Sequence, residues 1–311
     1  MSATRVAAID CGTNSIRLLI ADLDPETGEI TDLDRRMLIV RLGQDVDRTG
    51  RLHPEALART FAACREYAEV IAEHGVAPDR IRMVATSASR DAENAAEFTA
   101  GVEEILGVTP SVVSGDEEAR LSFTGATREL LGGPRRPPYL VFDLGGGSTE
   151  FVLGEQDVRA AYSMDIGCVR MTERHFAGGR PTEAQIGAAR ADIRAALDTV
   201  AETVPLDSGA TLIGLAGTVT TVAGIALELP GYDSERIHHA VIGVERVRET
   251  AQWLLHSSHA ERAAVPVMHP GRVDVIAAGA LVLLEVMERT GAAELLVSEH
   301  DILDGIAWSI A

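Results

Sequence analysis

One short motif occurs twice in this chain, and the repeat restricts what the chain can fold into. Asp10-Cys-Gly-Thr-Asn-Ser-Ile-Arg17 and Asp143-Leu-Gly-Gly-Gly-Ser-Thr-Glu150 each lie between two apolar segments, with an aspartate ending the first segment. The two aspartates are 133 residues apart. Self-similarity of this kind predicts a structural unit built twice, each copy containing a β-hairpin closed by a polar, glycine-containing turn.

The remaining periodicity predicts strands and helices alternating in both halves, which indicates an α/β fold made of two layered domains. The predicted helices cover residues 54–74, 94–106, 116–131, 182–204, 245–256, 273–290 and 302–309. Further strands are predicted at 81–86, 111–114, 210–215 and 294–298. The length of 311 residues fits two domains, and the proline-rich stretch 132–138 places the boundary between domains 1–132 and 133–298.

The charge balance excludes some partners. With 47 acidic and 28 basic residues the net charge is −19, which argues against broad adhesion to nucleic acid or to an anionic membrane. No apolar run reaches the length of a membrane span, so we expect a cytoplasmic protein. Three scattered cysteines predict neither a disulfide framework nor a zinc knuckle. The same net charge repels a polyanionic substrate unless basic groups or a cation gather at one site.

The two glycine-rich turns have the composition of phosphate-binding loops. Such loops need inward-pointing backbone amides, glycines that allow close approach, and hydroxyl or amide side chains as further donors. For one loop alone, a flexible hairpin turn is an equally good interpretation, but two matching loops favour phosphate binding. Neither loop has the ending of a Walker A motif or leads into a helix as a dinucleotide fingerprint does. The predicted phosphate-binding residues are Gly12, Thr13, Asn14, Ser15, Gly145, Gly146, Gly147, Ser148 and Thr149.

The carboxylates of the repeat suit a divalent cation. Asp10 and Asp143 face each other across a cleft if the two halves are related by the repeat, and hard oxygen ligands there suit Mg²⁺ or Mn²⁺. Glu150, at the end of the second motif, is the third candidate ligand. The alternative is that each aspartate hydrogen-bonds its own turn.

Two adjacent glutamates begin the helix predicted at 116–131. Ser114 and Glu117 have the spacing of a capping box, which gives Glu117 a structural role. Glu118 points about 100° away around the helix and is available to orient and deprotonate water. Position alone favours the alternative, in which Glu118 is a first-turn acid on a solvated face.

Several other residues are candidates for contacts with phosphate. Arg90 lies in a hydroxyl-rich turn with Ser87, and a guanidinium can bind phosphate oxygens with two hydrogen bonds. Arg17 and Arg272 are equally compatible with ordinary ion pairs. Gly217 and Thr218 lie in a strand-to-helix turn, for which tight packing is an equal alternative. The histidines, including His238, His239 and His300, show no metal-site spacing and are interpreted as structural or surface residues.

Five motifs in order along the chain resemble those of the exopolyphosphatase and guanosine pentaphosphate phosphohydrolase family. They are the two loops, Ala85-Thr-Ser-Ala-x-Arg90, Ser114-Gly-x-Glu-Glu-Ala-Arg120 and Pro270-Gly-Arg272. The resemblance implies two ribonuclease-H-like domains of the actin-like ATPase (ASKHA) superfamily with an interdomain cleft, and a final helix, 299–311, that packs back on the first domain. It also implies Mg²⁺-dependent attack of water on a terminal phosphorus, a catalytic glutamate aligned with Glu118 or else Glu117, and a homodimer.

Two departures from the family pattern are visible. Long members continue into a helical extension, whereas this chain resembles the short form, which shifts the expected substrate towards shorter polyphosphates. The segment Ser298-Glu-His-Asp-Ile-Leu-Asp-Gly305 differs from the usual Gly-Leu-Arg-Glu-Gly pattern and lacks its arginine.

The predicted function is therefore hydrolytic release of terminal phosphate from inorganic polyphosphate. The alternatives are a guanosine pentaphosphate (pppGpp) phosphohydrolase that uses the same residues, a small-molecule kinase of the same superfamily, and a non-catalytic polyphosphate or nucleotide sensor. The Glu-Glu-Ala-Arg helix speaks against the kinase. Preferred chain length and the true metal ligands do not follow from sequence.

Overall fold

The computed structural model describes residues 3–24, 29–130, 135–176 and 180–310, excepting the side chains of Glu29, Ser87 and Asp91. Contacts divide the chain into two compact units, Met1–Gly125 with Ile302–Ala311, and Ala126–Asp301. The domain boundary predicted at 132/133 falls on residues 131–134, which lie outside the described residues.

The first half of the chain alternates strands and helices after an initial three-stranded meander. Its elements are β1 (Thr4–Cys11), β2 (Ser15–Asp24), β3 (Glu29–Ile39), α1 (Val46–Thr49), α2 (Pro54–Glu73), β4 (Ile81–Ala85), α3 (Ser87–Asp91), α4 (Ala95–Leu106), β5 (Ser111–Val112) and α5 (Gly115–Thr127).

The second half repeats this plan and then returns to the first unit. Its elements are β6 (Tyr139–Leu144), β7 (Thr149–Gly154), β8 (Val158–Met164), α6 (Cys168–His175), α7 (Glu183–Ala201), β9 (Thr211–Leu215), α8 (Ala216–Ala226), α9 (Ser234–Ile237), β10 (Val241–Gly243), α10 (Val244–His256), α11 (His259–Ala263), α12 (Ile276–Thr290) and β11 (Glu294–Val297), and α13 (Ile302–Trp308) belongs to the first unit.

The two sheets share one topology. In the first unit the order is β3-β2-β1-β4-β5, with β1, β2 and β3 antiparallel and β1, β4 and β5 parallel. In the second, β8-β7-β6-β9-β11 repeats that order and those directions, and β10 adds an antiparallel edge strand. A three-stranded meander continued by parallel strands is the ribonuclease-H-like arrangement. The predicted α/β fold with one such unit in each half is confirmed.

The core of the first unit follows the two-residue period of its central strand. Ile9 faces a cluster that includes residues of α2 and α4, whereas Ala8 faces the cluster that contains α13. Both faces of β1 are therefore covered, as a central strand with parallel neighbours requires. At the contact of α13 with α5, a Cβ added to Gly305 would lie 2.0 Å from the carbonyl oxygen of Leu121, so only glycine fits.

The core of the second unit is centred on α12, in which every residue from Ile276 to Met287 is buried. One of them is charged: Glu285 is 1% exposed and receives hydrogen bonds of 2.6 Å from the Nε atoms of both Arg190 and Arg194 on α7. A buried carboxylate needs such partners. Among the described residues, no helix is both long and apolar enough to cross a membrane.

Candidate active site

The first loop is a tight turn held by the strands on either side of it. Asp10 and Arg17 are directly opposite in the β1–β2 ladder, and Oδ2 of Asp10 accepts hydrogen bonds from Nε and Nη2 of Arg17 at 3.0 and 2.7 Å. The amide of Gly12 donates to the carbonyl of Ser15 at 3.0 Å and closes the turn. The predicted phosphate contact Arg17 thus has an intramolecular partner, the buried Asp10.

A neighbouring segment that the sequence analysis did not identify holds the carbonyl groups of this loop. The amides of Val40 and Arg41 donate to the carbonyl of Asn14 at 3.1 and 2.9 Å, and that of Gly43 donates to the carbonyl of Thr13 at 2.9 Å. A Cβ on Gly43 would lie 2.2 Å from Cγ2 of Thr13, so a larger residue there would force the Thr13 side chain to move. Gly43 is the only feature of the sequence that could have indicated the contact between segment 40–43 and the first loop.

The second loop has the same closure as the first. The amide of Gly145 donates to the carbonyl of Ser148 at 3.0 Å, the equivalent of the Gly12–Ser15 hydrogen bond. Ser148 and Thr149 are buried, and the hydroxyl of Thr149 donates to the carbonyl of Ile166 at 2.6 Å. The repeat detected in the sequence is therefore a repeat of backbone geometry.

Helix α6, which the sequence analysis missed, supports the second loop. The amide of Cys168 donates to the carbonyl of Gly145 at 3.0 Å, and that of Val169 donates to the carbonyl of Gly146 at 2.8 Å. A Cβ on Gly167 would lie 2.4 Å from the carbonyl carbon of Gly146. The loop carbonyls, which would repel a phosphate, are thus occupied by the first turn of α6.

The strand-to-helix turn after β9 lies beside the second loop. Strands β6 and β9 are parallel with Asp143 opposite Leu215, so the loops that follow them share one sheet edge. A Cβ on Gly217 would lie 2.3 Å from Nη2 of Arg272, whose Nη1 donates to Oγ1 of Thr221 at 3.0 Å. Arg272 therefore brings a guanidinium to this turn, and Thr218 beside it is buried.

The corresponding turn in the first unit carries Arg90. Strand β4 is parallel to β1, and the amide of Thr86 donates to the carbonyl of Cys11 at 3.2 Å. On α3, Nη1 of Arg90 donates to the carbonyl of Val113 at 2.9 Å and lies 3.5 Å from Oε2 of Glu118. The structure thus brings Arg90 and Glu118 together. The side chain of Ser87 lies outside the described residues.

The two adjacent glutamates of α5 have different surroundings. The side chain of Glu118 is 10% exposed and lies against Arg90. That of Glu117 is 47% exposed and accepts a hydrogen bond of 2.9 Å from Nη2 of Arg82. The amide of Glu117 donates to Oγ of Ser114 at 3.2 Å, which is the backbone half of the predicted capping box. Burial next to a cation suits Glu118 for proton transfer better than Glu117.

The charges at the metal-ligand candidates differ between the units. Seven residues after the strand-end aspartate, the first unit has Arg17 and the second has Glu150. Asp143 and Glu150 are opposite one another on β6 and β7, so two buried carboxylates share one face of the sheet, and Ser163 donates to Oε1 of Glu150 at 2.7 Å. This oxygen donor pair fits Mg²⁺ or Mn²⁺. In the first unit, Arg17 already neutralises Asp10.

Folding brings together three histidines that the sequence predicts to be structural or surface residues. Oε1 of Glu129 lies 2.8 Å from Nε2 of His238, 3.2 Å from Nε2 of His239 and 3.1 Å from Nδ1 of His300. Burial alone would raise the pKa of the Glu129 carboxyl, but hydrogen bonds from the three imidazoles hold that pKa well below its usual range. The spacing of 61 residues between His239 and His300 concealed the cluster in the sequence.

The segment that departs from the family pattern has a structural role in the described contacts. Leu303 is 1% exposed in the core beside β1, and Asp304 forms an ion pair with Arg35 of β3. The buried position of Leu303 in α13 therefore needs an apolar side chain.

Comparison with known proteins agrees with these motifs. The Ppx/GppA phosphatase family matches residues 19–311. The chain is 49% identical to Exopolyphosphatase 2 of Mycobacterium tuberculosis, over 100% of both chains. The crystal structure of an exopolyphosphatase-like protein matches with a TM-score of 0.95 at 43% identity, covering 99% of this chain and 98% of that one. A Ppx/GppA family member from Aquifex aeolicus matches with a TM-score of 0.81 at 30% identity, covering 98% and 97%. The chain belongs to the Ppx/GppA phosphatase family.

Proposed function

We propose that this protein is an exopolyphosphatase, which hydrolyses inorganic polyphosphate from its end and releases orthophosphate. The observation that carries the proposal is the contact between the buried Glu118 and the partly exposed Arg90, in a unit that also contains a phosphate loop. The 49% identity to Exopolyphosphatase 2 supports the choice of polyphosphate as substrate.

In the proposed reaction Glu118 accepts a proton from the attacking water. The water oxygen forms a bond to the terminal phosphorus, the bridging P–O bond breaks, and the shortened polyphosphate leaves with the electron pair of that bond. Arg90, 3.5 Å from the Glu118 carboxylate, is positioned to stabilise charge on the phosphoryl oxygens. The amides of Gly12 and Gly145 close the two turns, and the other backbone amides of these loops bind and orient phosphate groups.

The proposed cofactor is Mg²⁺, with Mn²⁺ as a substitute. Asp143 and Glu150 would hold the ion, and Asp10, which is already paired with Arg17, is the weaker candidate. When bound, such an ion neutralises phosphate charge. Two adjacent buried carboxylates and a net charge of −19 make a bound cation favourable at this position.

The test is phosphate release by the purified protein from short polyphosphate, long polyphosphate and pppGpp, each with Mg²⁺ and with a chelator. We expect a higher kcat/KM on polyphosphate than on pppGpp, and loss of release in chelator. A higher kcat/KM on pppGpp would assign the protein to that alternative. Saturable polyphosphate binding without release would identify a sensor. The proposed homodimer is tested separately by analytical ultracentrifugation.

A further inference from the structure

The turn that follows β9 has an aromatic neighbour with no role in the proposed hydrolysis. Tyr232 lies in the loop between α8 and α9, and the residue is 45% exposed. Its phenol oxygen nevertheless has two close partners, Oε1 of Glu299 at 2.6 Å and Oγ1 of Thr220 on α8 at 2.9 Å. The side chain of Tyr232 is therefore fixed at its polar end, although much of the residue is accessible to solvent.

The chemistry of the three groups sets the direction of these hydrogen bonds. A carboxylate can only accept, so the phenol proton goes to Glu299, and the hydroxyl of Thr220 donates to the phenol oxygen. Burial of the hydroxyl end and the Glu299 carboxylate raise the pKa of the Tyr232 phenol, and the guanidinium of Arg272 opposes this shift. The phenol therefore keeps its proton at neutral pH and remains a donor to Glu299.

Arg272 is anchored next to the same part of α8. Its Nη1 donates to Oγ1 of Thr221 at 3.0 Å, and Thr221 directly follows Thr220, the partner of the phenol. The guanidinium also lies against the turn at Gly217, where an added Cβ would be 2.3 Å from Nη2. Among the residues that the structure describes, no carboxylate lies within 4.0 Å of this guanidinium. Its charge is therefore available to an anion that reaches the turn.

Glu299 is the acid best placed to neutralise Arg272. Its amide donates to Nδ1 of His238 at 3.1 Å, which fixes the backbone, and its carboxylate accepts from the phenol. Both the carboxylate of Glu299 and the guanidinium of Arg272 act on the charge of the Tyr232 phenol, so the two opposite charges lie on either side of one neutral donor. Opposite charges that are partly removed from water attract one another strongly unless another group holds one of them.

We propose that Tyr232 is a positioning residue for polyphosphate binding: its phenol holds the Glu299 carboxylate away from Arg272 and so leaves the guanidinium available to a phosphate group. The inference rests on the proposed function, because it assigns Arg272 to the phosphates of polyphosphate. Without the phenol, Glu299 pairs with Arg272, and a polyphosphate has to displace a carboxylate before it binds. Tyr232 thus acts through Glu299 and needs no contact with the substrate.

The experiment is a double-mutant cycle on tripolyphosphate binding, measured by isothermal titration calorimetry at constant Mg²⁺. The starting protein is Glu118→Gln, in which turnover is expected to be about 10²–10⁴-fold slower. Tyr232→Phe keeps the ring and should weaken binding about 10-fold or more, the scale of one hydrogen bond to a charged group. Adding Glu299→Gln to Tyr232→Phe should restore the affinity of the starting protein, because no carboxylate then competes for Arg272.

Steady-state kinetics with Glu118 intact provide the second readout. Tyr232→Phe should raise KM for tripolyphosphate by a similar factor and keep kcat within a few-fold of the wild type, as expected when only binding is lost. Tyr162→Phe is the matched control: it removes a phenol from β8 that has no hydrogen-bond partner in the described ranges, and it should leave binding and KM unchanged.

Two results would overturn the proposal. One is an affinity for tripolyphosphate that Tyr232→Phe leaves unchanged. The other is a loss in Tyr232→Phe that Glu299→Gln does not restore, which would mean that the phenol only supports the local structure. If the wild type binds tripolyphosphate but releases no phosphate, then the proposed hydrolysis fails while the binding cycle still tests Tyr232, so the two failures are distinguishable.

Discussion

At the scale of single residues, the two adjacent glutamates of α5 have the same side-chain chemistry but different burial and different partners. Glu118 is nearly buried against Arg90, and Glu117 lies at the surface against Arg82. The sequence predicted that the two side chains diverge, because neighbours on a helix point about 100° apart. It did not indicate which direction leads to the interior, since that depends on α5 packing on the rest of the first unit.

This difference predicts unequal effects of removing each charge. Glu118→Gln should lower kcat for polyphosphate about 10²–10⁴-fold, the usual contribution of a general base, with little change in polyphosphate affinity. Glu117→Gln removes only an exposed ion pair, worth about 0–1 kcal/mol, and should keep kcat within a few-fold of the wild type. Single-turnover phosphate release measures both. Equal losses in the two variants would remove the assignment of Glu118.

A second prediction concerns Gly167, where a side chain has no space. Gly167→Ala would place Cβ 2.4 Å from the carbonyl carbon of Gly146, so the second phosphate loop or α6 has to move. We expect a loss of about 1–3 kcal/mol in unfolding free energy, as for overpacked sites, together with weaker phosphate binding.

Gly187→Ala is the matched control for that change. Gly187 lies in α7 with no atom within 4 Å of an added Cβ, and the substitution should stabilise the protein by about 0.5–1 kcal/mol. Urea unfolding and phosphate binding are compared for the two variants. If Gly167→Ala binds phosphate as well as Gly187→Ala does, then the support of the loop by α6 is not needed for binding.

At the scale of elements, the parts that were predicted correctly carry their own local signals. The helices at Pro54–Glu73 and Glu183–Ala201 begin where the sequence places a proline and a capping box, and they continue with a clear apolar period. Strand β8 and helix α6 were missed. The burial pattern of β8 is mostly intermediate, and α6 is only eight residues long, so neither shows a long apolar period.

Helix α6 matters for the site because its first turn holds the second loop, and its last turn is tied to α7. Oδ2 of Asp192 accepts from Nη1 of Arg174 at 2.8 Å and lies 2.9 Å from Nε2 of His175. Burial opposes ionisation of Asp192, but the hydrogen bonds from His175 and Arg174 outweigh it and lower the pKa of its carboxyl. The contact therefore stabilises the fold only while Asp192 is ionised.

The lowered pKa predicts the pH range in which this contact acts. A carboxyl with a lower pKa in the folded state contributes its full stability above the unfolded pKa of about 3.9, and this contribution is lost as the pH falls from there through the lower folded pKa. The wild type should be more stable than Asp192→Asn at pH 6, and the difference should shrink as the pH falls below about 3.9. Urea unfolding across this range measures the difference. A difference that is independent of pH would mean that the charge of Asp192 is not involved.

At the scale of the whole molecule, the repeat predicted the fold, but it did not predict how the copies differ. Both units have the same sheet order and the same loop closure. The position opposite the strand-end aspartate became Arg17 in one copy and Glu150 in the other. The difference between Arg17 and Glu150 is visible in the sequence. Only the strand register of each hairpin shows that these residues lie directly opposite the strand-end aspartates. The copies are therefore alike in backbone but differ in local charge, since Asp10 is paired with a cation and Asp143 with a second carboxylate.

The net charge of −19 leads to the last prediction, on the rate of polyphosphate binding. Long-range repulsion acts over a Debye length of about 30 Å at 0.01 M salt but only about 8 Å at 0.15 M, whereas contacts within a buried site are screened less. Added KCl should therefore speed association of polyphosphate with Glu118→Gln, the variant in which turnover is expected to be about 10²–10⁴-fold slower, at constant saturating Mg²⁺. Stopped-flow measurements in KCl and in choline chloride separate screening from occupancy by potassium. If association slows in both salts, then attraction by local basic groups such as Arg90 and Arg272 outweighs the repulsion by the whole chain.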